Sequence, residues 1–243
     1  MNGVVDKWFD GLLRQLVRPE HILLPITVKI HKERSQVTME MQDLLNGRCG
    51  WCGTDSLYVK YHDEEWGVPL HDDHRQFEFL MMEVMQCGLN WNMMIQKREI
   101  FRQCFDGFDY DKIASYEEED IERILSCEGM IKSRRKVEAV IHNARCFQKV
   151  RQEYGSFSSY IWGFSGGKTI LYAGHQKGKI PAQNALSQQL SQDLRKRGFK
   201  YLGPVTVYSH LQACGVINDH VEGCFRYHDL IEHYPTVKKR DKK

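Results

Sequence analysis

The sequence predicts a mainly α protein, and three observations carry that expectation. From about residue 75 onward, apolar residues recur at the three-to-four-residue period of helices rather than the two-residue period of strands. Helix punctuation falls between the periodic stretches, with serines at 115 and 133, a proline at 204 and glycines at 88, 198 and 215. The sequence contains no alternating βαβ pattern, no glycine-rich phosphate loop and no internal repeat.

Taken in order, residues 1–17 place Val5, Trp8, Phe9, Leu12, Leu13 and Leu16 at helical spacing, so a short amphipathic helix is expected there. ILLPITVKI at 22–30 is strand-like and 31–47 is polar; residues 1–47 read as an N-terminal extension. RQFEFLMMEVMQC (75–87) is apolar nearly all round and stops at Gly88, as a buried helix with a glycine C-cap does. SYEE (115–118) predicts a capping box opening DIERIL. Ser133 predicts the N-cap of a long helix that turns Val137, Val140, Ile141, Ala144, Phe147 and Val150 inward. Leu186, Leu190 and Leu194 repeat every four residues before Gly198, and Pro204 opens a further helix that ends at Gly215.

The stretch ILSCEGMIKSRRKVEAVI thus reads as two helices joined by a short turn containing Gly129. The free N–H groups opening the second helix, with Lys132, Arg134 and Arg135 beside them, suit DNA phosphates. An ordinary antiparallel helix pair explains the same pattern equally well.

A chain of 243 residues is long enough to bury a real core without disulfides. Lys+Arg 34 against Asp+Glu 32 leaves a formal charge of only +2, so nucleic-acid binding must come from clusters such as KSRRK (132–136), RKRGFK (195–200) and KKRDKK (238–243). Eight cysteines with no signal-peptide pattern ahead of them read as reduced thiols or metal ligands. No apolar run reaches the length of a membrane span, and a soluble protein is expected.

Chemistry concentrates at two places. Cys49 and Cys52 form a CxxC, His62 follows closely, and HVEGC sets His220 and Cys224 four residues apart, one face of a helix or turn. Two thiolates with two imidazoles make a closed tetrahedral zinc site, structural because no position is left for water. Buried thiols and satisfied histidines are the competing reading, and a thioredoxin-like reading of CGWC lacks the strand–helix setting it needs. The other place is LYVKYHDEEWGVPLHDD (57–73), too rich in aromatic and titratable groups for a core or a plain loop. Glu83, a carboxylate within an apolar helix, needs a partner: either a nearby cation or something brought to a pocket.

RCGW (48–51), YHDEEWGVP (61–69), MEVMQCGLNW (82–91), KREIFRQCF (97–105), KRGFKYLG (196–203) and QACGVINDHVEGC (212–224) together resemble the type I 3-methyladenine DNA glycosylases, in order from about residue 47 to 227. The resemblance implies a helix-hairpin-helix superfamily fold over residues 48–228, followed by a basic tail at 229–243. It implies a cytoplasmic monomer acting on alkylated double-stranded DNA and excising 3-methyladenine. One structural zinc would be held by Cys49, His62, His220 and Cys224, with Cys52 outside the set. By position, Glu83 and Tyr61 would act on the base, Trp91 would stack on it, and Trp51, Trp66, Tyr58 and Ser209 would line its pocket. Leu89 matches the apolar wedge that enters the DNA stack. The family outline after the glutamate, EGxQAGLSW, is altered here by Val84, Met85, Cys87 and Asn90, which bears on the range of bases accepted. The rival from another class is a non-catalytic, zinc-stapled DNA-binding or damage-sensing module, which the pairing of Glu83 with Tyr61 disfavours.

Overall fold

The apolar stripe at 137–150 becomes the spine of the domain. The computed structural model describes residues 47–86 and 88–240, so the helix and strand expected within 1–30 lie outside the described residues, as does Cys87. The described elements belong to the unit Leu45–Lys243. They comprise α1 (Ser56–Glu64), α2 (Asp73–Gln86), α3 (Trp91–Gln96), α4 (Arg98–Cys104), α5 (Tyr110–Ala114), α6 (Glu118–Ser126), α7 (Arg134–Tyr154) and α8 (Phe157–Gly163). After these come β1 (Thr169–Tyr172), α9 (Ala185–Lys196), α10 (Pro204–Ala213), α11 (Phe225–His233) and β2 (Thr236–Lys239).

All six inward residues expected of α7 are buried, and the helix packs on α2, α5, α6 and α8. Phe147 anchors it between Phe77, at 5.1 Å between ring centroids, and Phe157, at 4.1 Å. Helix α2 is buried at every position from Gln76 to Met85, as its all-round apolar pattern requires. Its polar residues must therefore find partners inside the protein. Gln76 donates to the Leu70 carbonyl at 2.7 Å and faces His210 Nε2 at 2.9 Å, while Glu78 accepts from Arg98 at 2.6 Å and Arg102 at 2.8 Å. Gly88 follows the helix at a φ of 84°, the left-handed conformation that glycine adopts without cost.

Helix α10 opens on Pro204 as expected and ends at Ala213. Gly215, with φ 76°, lets two distant segments touch: a Cβ there would lie 2.5 Å from Pro69 N. Leu70 N–H donates to the Cys214 carbonyl at 3.1 Å across the same contact. This approach sets YHDEEWGVP beside QACGVINDH and so positions both sites described below.

Three details depart from the sequence reading. Ser115 caps the end of α5, Tyr116 enters the core, and the capping box that opens α6 is Glu117 with Asp120. Burial of Tyr116 moves the helix start two residues later than SYEE suggested. Ser133 stands at the N-cap of α7, yet its hydroxyl makes no cap bond. The stretch read as a basic tail carries the end of α11 and then β2, which pairs in parallel with β1 in the register Thr169 to Thr236.

Candidate active site and metal centre

Four side chains meet at one buried point: Cys49 before a short 3-10 turn, His62 in the last turn of α1, His220, and Cys224 at the N-cap of α11. Their ligand atoms all lie within 4.8 Å of one another, and none of the four residues is more than 1% exposed. Cys224 Sγ is 3.4 Å from both His62 Nε2 and His220 Nδ1, and Cys49 Sγ is 3.5 Å from His220 Nδ1. Each imidazole is fixed through its other nitrogen. His62 Nδ1 lies 2.8 Å from Asp63 Oδ1, itself held by Arg48, and His220 Nε2 lies 3.0 Å from the Trp66 carbonyl. A histidine that donates outward turns an unprotonated nitrogen inward, the arrangement that outer partners impose on metal-binding imidazoles. A hydrogen bond between the two thiols holds Cys224 below the ordinary thiol range and Cys49 above it. Two inward imidazole nitrogens and two sulfurs form a donor set that could hold a metal ion. Cys52 is buried but turns to the Gly53 carbonyl at 3.7 Å and lies outside the cluster.

On the other side of Trp66 lies a cavity of about 320 Å³. Tyr58 and Tyr61, three apart on α1, present one face to it, while the adjacent His62 turns to the cluster. Trp51, Trp66 and Trp91 complete the aromatic wall, and Ser209 reaches it from α10. The rings brace one another: Trp51 meets Trp66 edge-on at 4.9 Å, and Tyr61 lies 5.9 Å from Trp91. Trp66 also packs against the His220 ring at 4.5 Å, so the cluster buttresses the cavity.

Glu83 lines this cavity from the last turns of α2 and is 4% exposed. Burial pushes its carboxyl up to about 8. Tyr61 is raised well above the ordinary phenol value, first by burial and then by the charge of Glu83, and burial lifts Tyr58 to about 12. A carboxyl poised near neutrality in an aromatic cavity is the kind of group that marks a functional site.

The chain matches the family model for methyladenine glycosylases over residues 51–227. It belongs to the methyladenine glycosylase family. It is 42% identical over 180 residues to DNA-3-methyladenine glycosylase 1 of Escherichia coli, covering 74% of this chain and 96% of the relative. It is 37% identical over 177 residues to DNA-3-methyladenine glycosylase of Haemophilus influenzae, covering 73% and 96%. Among solved structures, 3-methyladenine DNA glycosylase I from Staphylococcus aureus, described for its recognition of 3-methyladenine, superposes with a TM-score of 0.70 at 35% identity, covering 74% of this chain and 96% of the other.

Within this methyladenine glycosylase domain, the cavity gathers every residue that the sequence assigned to a base pocket: Trp51, Tyr58, Tyr61, Trp66, Glu83, Trp91 and Ser209. Three more line it that the sequence reading missed: Gln86, Ile180 and Gln212. Helical spacing carried two of them, since Gln86 lies three residues after Glu83 and Gln212 three after Ser209. Leu89 is half-buried beside the cavity, and its carbonyl accepts from Gln86 Nε2 at 2.6 Å. Lys132, Arg134 and Arg135 of the hairpin do not line this cavity. Lys132 and Arg135 are exposed, whereas Arg134 is tied to Glu118 at 2.8 Å and also to Glu122 and Glu138.

Proposed function

We propose that this chain is a monofunctional, zinc-containing DNA glycosylase that hydrolyses the bond between deoxyribose and 3-methyladenine in alkylated duplex DNA, leaving an abasic site. The observation that carries the reading is Glu83, a buried carboxyl in a cavity walled by Tyr61, Trp66 and Trp91. A base inside a duplex is out of reach, so it must be flipped into such a pocket, at a cost of a few kcal/mol in unstacking. Methylation at N3 leaves the adenine cationic, which weakens its glycosidic bond and lessens the need for a strong general acid. A carboxylate and electron-rich rings favour that cation over an unmodified, neutral base. Approach of the cation lowers the Glu83 carboxyl from about 8, so the charged form that attracts the base is reinforced as it enters. Tyr61 contacts the base and Trp91 stacks on it, while Trp51, Tyr58 and Ser209 close the remaining walls. Cleavage returns the bonding electrons to the ring, so the base leaves neutral, and water adds to the cationic sugar carbon and gives up a proton to solvent.

The cluster suits zinc in particular. Zn–S bonds of about 2.3 Å and Zn–N bonds of about 2.0 Å put the sulfur–nitrogen edges of a tetrahedron at roughly 3.5 Å. The observed separations are 3.4 and 3.5 Å. When bound, the ion supplies folding free energy, and with four protein ligands it takes no part in the chemistry. Helices α6 and α7 with their connecting turn serve as a helix-hairpin-helix, whose N–H groups, Lys132 and Arg135 meet phosphates. Arg134 must first exchange its carboxylate partners to join them. Leu89 is the wedge that fills the gap left by the flipped base.

Incubating the protein with methylated duplex DNA and separating the released bases by chromatography tests the reading. Free 3-methyladenine is expected; duplex binding with no base released would instead favour the damage-sensing module.

A further inference from the structure

Ser209 and Gln212 sit three residues apart on α10, so one face of the helix presents both to the cavity. Gln212 is gripped from behind. Its Nε2 donates to Asp219 Oδ2 at 2.8 Å. Asp219 is 1% exposed; the Tyr208 hydroxyl donates to the same oxygen at 2.5 Å, and His175 Nδ1 lies 2.7 Å from Oδ1. A buried carboxylate is an acceptor only, and a carboxamide has one donor end and one acceptor end. Turning the Gln212 amide over would set its carbonyl against the Asp219 oxygen, acceptor to acceptor, and leave a buried group unsatisfied. One N–H of the amide is therefore committed to Asp219, which fixes the amide's orientation and leaves its carbonyl, the acceptor end, unused by that partner.

We infer that Gln212 is a specificity-determining residue, whose carbonyl, held by Asp219, accepts a hydrogen bond from the exocyclic amino group of an adenine-type base and disfavours a purine with a carbonyl at that ring position. The inference rests on the proposed excision of 3-methyladenine. Adenine and guanine differ in this respect, one carrying an amino donor and the other a carbonyl acceptor on the same edge. Glu83 alone is a poor discriminator, because a carboxyl held up to about 8 can donate or accept near neutral pH. An amide locked by a carboxylate has no such freedom. Asp219 acts through Gln212 and is a positioning residue.

The test compares free 3-methyladenine with free 3-methylhypoxanthine, which carries a carbonyl in place of the amino group. Binding is read from quenching of tryptophan emission, since Trp51, Trp66 and Trp91 line the cavity. Wild type, Gln212→Leu, Gln212→Ala and Asp219→Asn are measured, with circular dichroism and zinc content checked because Asp219 adjoins His220. Wild type is expected to prefer 3-methyladenine. Both Gln212 variants should narrow that preference by about tenfold or more, chiefly by weakening the adenine-type base. Asp219→Asn, whose amide no longer dictates the orientation of Gln212, should narrow it by a smaller factor. An unchanged preference in either folded Gln212 variant overturns the inference, as does a wild type that binds the two bases equally. A wild type that keeps a Gln212-dependent preference but releases no base from methylated DNA overturns the glycosylase reading alone.

Discussion

Tyr61 and His62 are neighbours on α1, yet one faces the aromatic cavity and the other the cysteine and histidine cluster. In the cluster, the polar atoms answer one another: each imidazole is anchored on its far nitrogen and the sulfurs lie within 3.5 Å of the near ones. In the cavity, a carboxyl is buried beside aromatic rings, and that burial pushes it up to about 8. In the proposed reading, the first arrangement holds the fold together and the second favours an incoming cation. Trp66, packed on His220 and lining the cavity, makes each depend on the other's geometry.

The largest effects are expected at the cluster. If the proposed zinc is bound, about one per chain is expected in the native protein, and Cys49→Ala or His220→Ala should lose it together with about 4 kcal/mol or more of stability, seen as a large fall in melting temperature. Cys52→Ala should keep the metal and cost about 1 kcal/mol, the scale of a small buried truncation. If Cys52→Ala loses the metal while Cys49→Ala keeps it, the ligand set is wrong. At the cavity, Glu83→Gln should slow single-turnover excision of 3-methyladenine by about 1–3 kcal/mol, with fold and zinc content intact. Trp91→Ala should also slow it, through lost stacking of roughly 1–3 kcal/mol. Wild-type rates in both variants would refute the pocket assignment.

Titration sharpens the contrast further. The ionised Glu83 is the form that attracts a cation, so kcat/KM should rise with pH and level off above about 8, whereas Glu83→Gln should lack that rise. Stability should move the opposite way. Between the ordinary carboxyl value of 4.5 and about 8, the folded chain keeps a proton that the unfolded chain has released, so wild type should lose stability relative to Glu83→Gln as pH rises through that window. Denaturation midpoints for the two proteins across that range check this. The smallest effects belong to the hairpin. Replacing Lys132 and Arg135 together should reduce the salt slope of duplex binding by roughly two, and Arg134→Ala should change it less, since Arg134 already serves Glu118, Glu122 and Glu138.

Most of the helices were legible in the sequence because their apolar periods are long and their ends are punctuated, as with α7 and its six buried residues. The cysteine and histidine positions and the dense stretch at 57–73 stood out by residue type, but the full set of cavity residues, Trp51, Glu83, Trp91 and Ser209 among them, was named only through the family resemblance. What escaped depends on distant partners. Thr169 pairs with Thr236 in strands of four residues, too short to carry a period of their own. Ile180 reaches the cavity from an irregular loop, where no spacing rule applies. Gln212 gains its importance only from Asp219, Tyr208 and His175 behind it.

The contact between His62 and Cys224 joins positions 162 residues apart, and this separation orders events during synthesis. A growing chain exposes Cys49 and His62, with the spare thiol of Cys52 between them, well before His220 and Cys224 have been made. At roughly 5–20 residues per second the interval is on the order of ten seconds. Until it ends, the early residues supply only two of the four side chains of the cluster. Completion of the four-residue site therefore registers synthesis only as far as Cys224: a product stopped short of it keeps the aromatic cavity residues of α1, α2 and α3 but lacks the Cys224 that joins His62 at 3.4 Å.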